Sequence, residues 1–348
     1  MKLLMISRKV DKSDWLAGFA YGWIKKLAEE VDQLFVICLE KGEIGDLPRN
    51  VSIYSLGKEK GTNRLRRLIK FKFLALKLVP KVDGVFCHMN PEYTIVVAPF
   101  AKIFRKKIVS WYTHATVSWR LKLMEKLANV VLTASADSFR LPSKKLKIVG
   151  HGIDVKRFSP LPSRRAQEVT RILTVGRISP TKDYESMIKA VALLIKKGFS
   201  NLTLTIIGEA GLAAHQVYFE NLRAMVKKMG LEKNVWFLGS APHLEIPYHL
   251  QQSDIFINLS GTGSLDKAVL EAMACGCLVL TSNEAFKRIL PGQLMAQKND
   301  PQALAKRIEA LIKLPILEAD RIRQQLRQEV TVNHNLDNLV KVIVAQFN

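Results

Sequence analysis

The chain has 348 residues, 48% of them hydrophobic, which is more than one core usually serves, so two domains of roughly 150 residues each are expected. No apolar run approaches the ~20 residues that cross a bilayer, and Met1 leads straight into the strand-like LLMIS, so neither a membrane span nor a secretory leader is expected. The formal charge of +22 is uneven: residues 1–160 hold 30 Lys+Arg and 14 Asp+Glu, a net of +16, and the remainder 23 and 17, a net of +6. Such an excess points to an anionic partner for the first half, whether membrane lipid, lipid phosphate or nucleic acid, unless it is only a solubilising surface. No nucleic-acid motif accompanies it. Cys38, Cys87, Cys275 and Cys277 lie in or beside apolar runs without metal-ligand spacing to a histidine, and read as reduced core residues of a cytoplasmic protein.

In chain order, Lys2 to Ser7 reads as a buried strand, followed by a loop and a helix that carries Gly18 and Gly22 near its start. Glycine is costly there unless something approaches the backbone closely; tight helix–sheet packing and a ligand contact are both open. LFVICLE and VSIYSL are further strands, giving the alternation of a doubly wound α/β domain. Lys58 to Lys81, KEKGTNRLRRLIKFKFLALKLVPK, has nine basic residues and one acidic. Leu65, Leu68, Ile69, Phe73 and Leu76 follow helical spacing between the cations. This describes either a basic amphipathic helix for an anionic membrane surface or a helix whose stripe faces its own sheet.

VDGVFCH is a strand ending at His88, and a helix from about Tyr93 to Phe104 leads to the strand KIVSWY and then to His114. A histidine just past the C-terminal end of a parallel strand stands where α/β sheets bind ligands, although a structural histidine is the alternative. A helix near Leu121 to Ala128, the strand VVLTAS and the proline-bearing SPLPSRRAQ follow, the last reading as a linker. In RILTVGRISPTKDYESMIKAVALLIKKG a strand ends at Val175, a turn holds Gly176, Arg177 and Lys182, and Asp183 caps a helix that stops at Gly198. Two cations beside a helix N-terminus suit a diphosphate; an ordinary basic loop is the alternative. LTLTIIGEAG is a strand ending at Gly208, and NVWFLG, with Phe237, is another.

Asp254 to Ser282 then reads as a buried strand, a turn with Gly261 and Gly263, a helix beginning near Ser264 or Leu265 and stopping at Gly276, and a second buried strand. The glycines let the backbone approach an anion at the helix N-terminus. Glu271, inside that helix, either belongs to a solvated face paired with Lys267 or accepts hydrogen bonds from ligand hydroxyls. A helix from Pro301 to about Ile312 and a terminal helical region complete the chain.

The run VLEAMACGCLVLTS closely resembles the donor-binding signature of family 4 retaining glycosyltransferases, in which a Glu, seven residues and a second Glu straddle this turn and helix. Glu271 falls on the second Glu, which in the family touches the nucleotide ribose. Gly263 stands where the first, which touches the transferred sugar, usually lies, and Ser264-Leu265-Asp266 replaces the usual Gly-Phe-Gly. Gly176 and Arg177, with Lys182 five residues on, match the family's diphosphate clamp, and Gly152-Ile153-Asp154 with Phe158 matches its passage between domains.

The resemblance implies an α/β protein of the GT-B fold, two Rossmann-like doubly wound domains facing a central cleft. The domains would be 1–158 on the acceptor side, a linker at 159–169, a donor-binding domain at 170–330, and a helix at 331–348 packing back on the first. It further implies that Arg177 and Lys182 stabilise the leaving diphosphate and that His114 lies by the acceptor and sugar. Gly18 and Gly208 would lie near the donor, the backbone around Phe237 would meet the base, and Asp266 or Lys267 would take a different sugar. The donor would be a nucleotide diphosphate sugar with no cofactor or metal, and the acceptor a glycan or lipid-linked molecule. The protein would sit at the inner face of an anionic membrane, with no nucleic-acid partner. A catalytically inactive nucleotide-sugar-binding or scaffold protein is the alternative.

Overall fold

The computed structural model describes residues 1–15, 17–162, 169–261 and 263–348. They form two compact units: Met1–Asp154 with Pro242–Leu244 and Asn333–Asn348, and Val155–Ala241 with Glu245–Val332. Of the expected linker at 159–169, residues 163–168 lie outside the described residues.

The first unit runs β1 (Lys2–Val10), α1 (Phe19–Glu29), β2 (Gln33–Lys41), β3 (Val51–Ser55), α2 (Arg64–Leu78), β4 (Gly84–His88), α3 (Pro91–Ile103), β5 (Lys107–Trp111), α4 (Trp119–Leu127), β6 (Val130–Thr133) and β7 (Leu146–Ile148). Its seven strands pair in parallel in the order β3-β2-β1-β4-β5-β6-β7. Both faces are covered, which is why Leu3, Leu4 and Met5 can be apolar in succession and all fully buried. Right-handed crossovers put α1 on one face and α2, α3 and α4 on the other, because the chain steps one way from β1 to β2 and the other way from β3 onward.

Of the two readings of the stripe along α2, packing on its own sheet is the one that does not hold. Phe71, Leu74, Ala75 and Leu78 face the core beside Val85, Val97 and Ile108. Leu65, Leu68, Ile69, Phe73 and Leu76 are exposed. Two apolar stripes run along this helix, and spacing alone does not say which of two meets the sheet.

In the second unit come β8 (Thr170–Val175), α5 (Tyr184–Lys196), β9 (Leu202–Ile207), α6 (Ala213–Lys228), β10 (Val235–Gly239), α7 (Ile246–Gln251), β11 (Ile255–Asn258), α8 (Lys267–Ala274), β12 (Leu278–Thr281), α9 (Pro301–Ile312) and α10 (Ile316–Asn333). Five parallel strands take the order β10-β9-β8-β11-β12. The chain leaves β8 toward β9 and returns from β10 to β11 on β8's other side. That reversal opens a crevice outside the carboxyl ends of β8 and β11, the place where such sheets take ligands.

The last helix, α11 (Leu336–Ala345), returns to the first unit. Leu336, Leu339, Val340 and Ile343 are buried, Asn335 bridges to Ile153, and Lys26 pairs with Asp337 at 3.2 Å on the α1 side.

The two stripes of α2 separate by stability. Leu78→Ala, at a position 1% exposed, lowers unfolding free energy by about 2–5 kcal/mol, whereas Ile69→Ala, at one 59% exposed, stays within about 0.5 kcal/mol of the parent. Urea unfolding of the two variants measures both, and equal losses would contradict the assignment of faces.

Candidate functional site

The turn after β8 is built from buried polar contacts. Tyr184, fully buried at the start of α5, donates its hydroxyl to the carbonyls of Gly176 at 3.1 Å and Arg177 at 3.3 Å. Gly208, ending β9, has φ 149°, and a Cβ there would lie 1.9 Å from the Gly176 carbonyl oxygen, so only glycine lets these two loops touch. Arg177 is left exposed beyond the strand end.

Asp183 joins that turn to a distant one. Its own φ of 51° is left-handed, and its carboxylate serves two backbone donors: Ser186 N–H at 3.4 Å, capping α5, and Asn299 N–H at 2.7 Å. The neighbouring Lys298 is thereby held over the crevice, where its Nζ donates to the Thr181 carbonyl at 3.3 Å. A Cβ at Gly261, in the turn after β11, would lie 3.5 Å from the same Nζ. Lys298 is a cation of this site that spacing did not reveal.

Lys182 crosses to the β11 turn, its Nζ 2.7 Å from Asp266 Oδ2. Asn258 donates to the same oxygen at 3.0 Å, and the other oxygen accepts the Ala268 N–H at 3.4 Å. Burial by itself pushes the Asp266 carboxyl up, but the Lys182 charge and these hydrogen bonds outweigh it and hold the group below the ordinary carboxylate range.

Several expectations are corrected here. The helix begins at Lys267, not near Ser264 or Leu265, because Asp266 is its N-cap. One of its first-turn N–H groups, that of Ala268, therefore already meets a carboxylate of the chain. Leu265 is a core side chain, 5% exposed, and the Ser264 carbonyl is held by Asn283 Nδ2 at 2.7 Å. Asp266 points inward to Lys182 rather than outward to a sugar. Glu271 is not on a solvated face: it is 4% exposed, and Lys267 lies 3.6 Å from it. Phe237 packs its ring on Phe219, with centroids 5.3 Å apart, which leaves the expectation for its backbone untouched. Gly263 has φ 67°, a conformation that disfavours any side chain, glutamate included.

The structure thus brings Gly176, Arg177, Lys182, Gly208, Gly263, Asp266, Lys267 and Glu271 to one end of the second sheet and adds Tyr184, Asp183, Asn258 and Lys298. Two further expected positions lie in the first unit. Gly18 precedes α1, where a Cβ would meet the Asp14 carbonyl at 2.3 Å. His114 is exposed in the loop after β5, yet enough protein crowds its ring that burial lowers its pKa, leaving it neutral at pH 7. Among the described residues, no group of three His, Cys, Asp or Glu side chains is placed to hold a metal ion.

The family model for Glycosyl transferases group 1 matches residues 155–329, which covers the whole cluster of the second unit. The chain is 30% identical over 190 residues to the amylovoran biosynthesis glycosyltransferase AmsK of Erwinia amylovora, covering 51% of this chain and 44% of that one. To the capsular polysaccharide biosynthesis glycosyltransferase CapH of Staphylococcus aureus it is 23% identical over 273 residues, 72% and 73% of the two chains. The chain spans about half the length of several curated relatives that it matches. Among solved structures, Anabaena HepE in complex with UDP superposes with a TM-score of 0.79 at 18% identity, over 99% of both chains. Sucrose-phosphate synthase from Thermosynechococcus elongatus does so with 0.78 at 17%, over 100% of this chain and 98% of that one. The chain belongs to the Glycosyl transferases group 1 family, and its fold is GT-B.

The Lys182–Asp266 pair gives the second unit an acid-sensitive contribution. A carboxylate whose folded pKa is lowered stabilises the fold above its unfolded value, near pH 4, and that stabilisation is lost as pH falls through the folded value. Asp266→Asn, which keeps a capping oxygen, therefore melts lower than the parent at pH 7, and the difference closes as the solution is acidified. Thermal unfolding across pH checks this; parallel curves at all pH values would show that the pair contributes nothing.

Proposed function

We propose that the chain is a retaining glycosyltransferase that moves a hexosyl group from a nucleotide diphosphate sugar to a hydroxyl of a glycan or lipid-linked acceptor, at the cytoplasmic face of a membrane. The observation that carries the reading is the set of three cations, Arg177, Lys182 and Lys298, gathered with a buried carboxylate, Glu271, at the switch point of a parallel sheet. Such a set matches a nucleoside diphosphate: cations for the phosphates and an acceptor for ribose hydroxyls. The names of relatives lean the same way, AmsK and CapH being glycosyltransferases of polysaccharide biosynthesis and HepE having been crystallised with UDP and glucose.

In this reading, negative charge gathers on the diphosphate as its bond to the anomeric carbon breaks, and Arg177, Lys182 and Lys298 stabilise it without a metal. The departing phosphate oxygen takes the acceptor hydroxyl's proton while the new glycosidic bond forms on the same face of the sugar. Neutral His114 orients the sugar or acceptor by hydrogen bonding. Lys182 must first be shared between Asp266 and the incoming phosphate, so Asp266 sets a penalty on donor binding.

One observation favours the second reading, a donor-binding protein without turnover. The turn lacks a side chain at Gly263, and its nearest carboxylate is spent on Lys182. The two readings part on transfer: the first predicts release of free nucleotide from one sugar donor in the presence of an acceptor, the second tight nucleotide binding and no release.

Opposite substitutions test the phosphate site. Arg177→Ala weakens binding of the preferred nucleoside diphosphate by roughly 10- to 150-fold, the loss of one charge-assisted contact, while Asp266→Asn tightens it by freeing Lys182. Titration calorimetry with UDP, GDP and ADP reads both. Weakening by both variants, or by neither, would remove the phosphate site from this position.

A further inference from the structure

Among the described residues, nothing covers the outer face of α2. At about 100° per residue, Leu65, Ile69, Phe73 and Leu76 fall in one arc, roughly 150° around the helix from the stripe that packs on the sheet. They are 67%, 59%, 64% and 55% exposed. Lys72 flanks this arc on one side, and Arg66, Lys70 and Lys77 flank it on the other. The helix, RLRRLIKFKFLALKL, contains no acidic residue. Asn63 caps it through Arg66 N–H at 2.9 Å, so the arrangement is fixed by the fold.

Beside α2, on the same face of the sheet, the C-terminal ends of α3 and α4 border an open cavity of about 850 Å³. Lys102, Arg105, Lys106, Lys107 and Lys126 line it, with Leu127 on its apolar wall and no acidic side chain. Ile103, at the end of α3, is 70% exposed at the same edge. A cavity lined by cations and hydrocarbon, with Asn129 the one neutral polar residue among them, suits an anion that carries an apolar body.

The interleaving of charge with hydrocarbon selects the partner. A nucleic-acid backbone would meet the cations, but it would leave Ile69 and Phe73 against water and phosphate. At a bilayer surface each finds its own layer: cations at the headgroups, with stems that reach outward, and apolar side chains at the acyl boundary. We propose that the α2 face of the first unit lies on an anionic phospholipid bilayer, with Ile69 and Phe73 inserted at the acyl boundary and a lipid phosphate held in the cavity between α3 and α4. This rests on the reading above only in placing the acceptor at a membrane.

The test is sedimentation of the full chain with phosphatidylcholine vesicles, with and without phosphatidylglycerol, at low and high salt. Binding is expected only with phosphatidylglycerol and falls as salt screens the charges. Arg66→Gln, Lys70→Gln and Lys72→Gln together weaken it on the order of a hundredfold. Ile69→Ser with Phe73→Ser weakens it at least about tenfold at low salt. Arg105→Gln with Lys106→Gln weakens binding while α2 is intact. Equal binding to neutral vesicles, indifference to the serine pair, or binding of single-stranded RNA in place of vesicles would overturn the proposal. An unaffected Arg105/Lys106 variant would overturn the phosphate cavity. The substituted residues are exposed apart from the half-buried Lys106, and a melting temperature and nucleoside diphosphate affinity equal to the parent's are expected. Failure at the vesicles therefore leaves the donor reading standing, and loss of nucleotide binding in Arg177→Ala says nothing about the vesicles.

Discussion

The ion pair between Lys182 and Asp266 is the contact on which the second unit's crevice depends. It spans the reversal in strand order, linking the turn after β8 to the cap of α8. Both side chains are mostly buried, 17% and 16% exposed, so each charge needs the other, and Asn258 and the Ala268 N–H supply further donors. From this pair the rest is positioned by short steps. Lys182 is followed by Asp183, Asp183 holds Asn299, and Lys298 comes with it. Asp266 starts α8, and the start of α8 decides that Lys267 and Glu271 share one side of the helix a turn apart.

Much of this was legible in the sequence because the strand ends and caps have local signatures. Gly176 at the end of an apolar run, Asp183 before the helical period of α5, and the glycine-bearing turn before Glu271 all depend on residues within a few positions of each other. What was not legible depends on distance or on choice between faces. Lys298 reaches Thr181 across 117 residues, and nothing near it in the chain marks it as a site cation. Asp266 could be read as reaching out or reaching in until Lys182 was seen opposite it. The buried side of α2 was missed because the stripe of larger exposed residues has as good a helical period as the one that packs.

That second stripe also explains the charge asymmetry in a way composition could not. A net excess of +16 over residues 1–160 describes a quantity, and solubility alone would account for it. Concentration of that charge on α2 and at the ends of α3 and α4, interleaved with exposed leucine, isoleucine and phenylalanine, describes a surface with a preferred partner. A protein needing only solubility would place those cations without the apolar arc, since exposed apolar side chains in a continuous row invite association.

The same distinction between a quantity and a position applies to the departure at Gly263. Counted by composition, the turn exchanges a glutamate of the resembled signature for the aspartate at 266. By geometry the exchange is unequal. Position 263 has a left-handed backbone, which would strain a side chain there, and position 266 caps a helix and binds a cation already in the site. Where the resembled signature implies a carboxylate that reaches out to a ligand, this turn has one that reaches in to Lys182. On the proposed function, donor recognition rests on the phosphates and the ribose, to which Arg177, Lys298 and Glu271 are assigned, more than on the sugar. An enzyme with this turn would choose its sugar by shape or by groups on the acceptor side, not by a carboxylate in the donor turn.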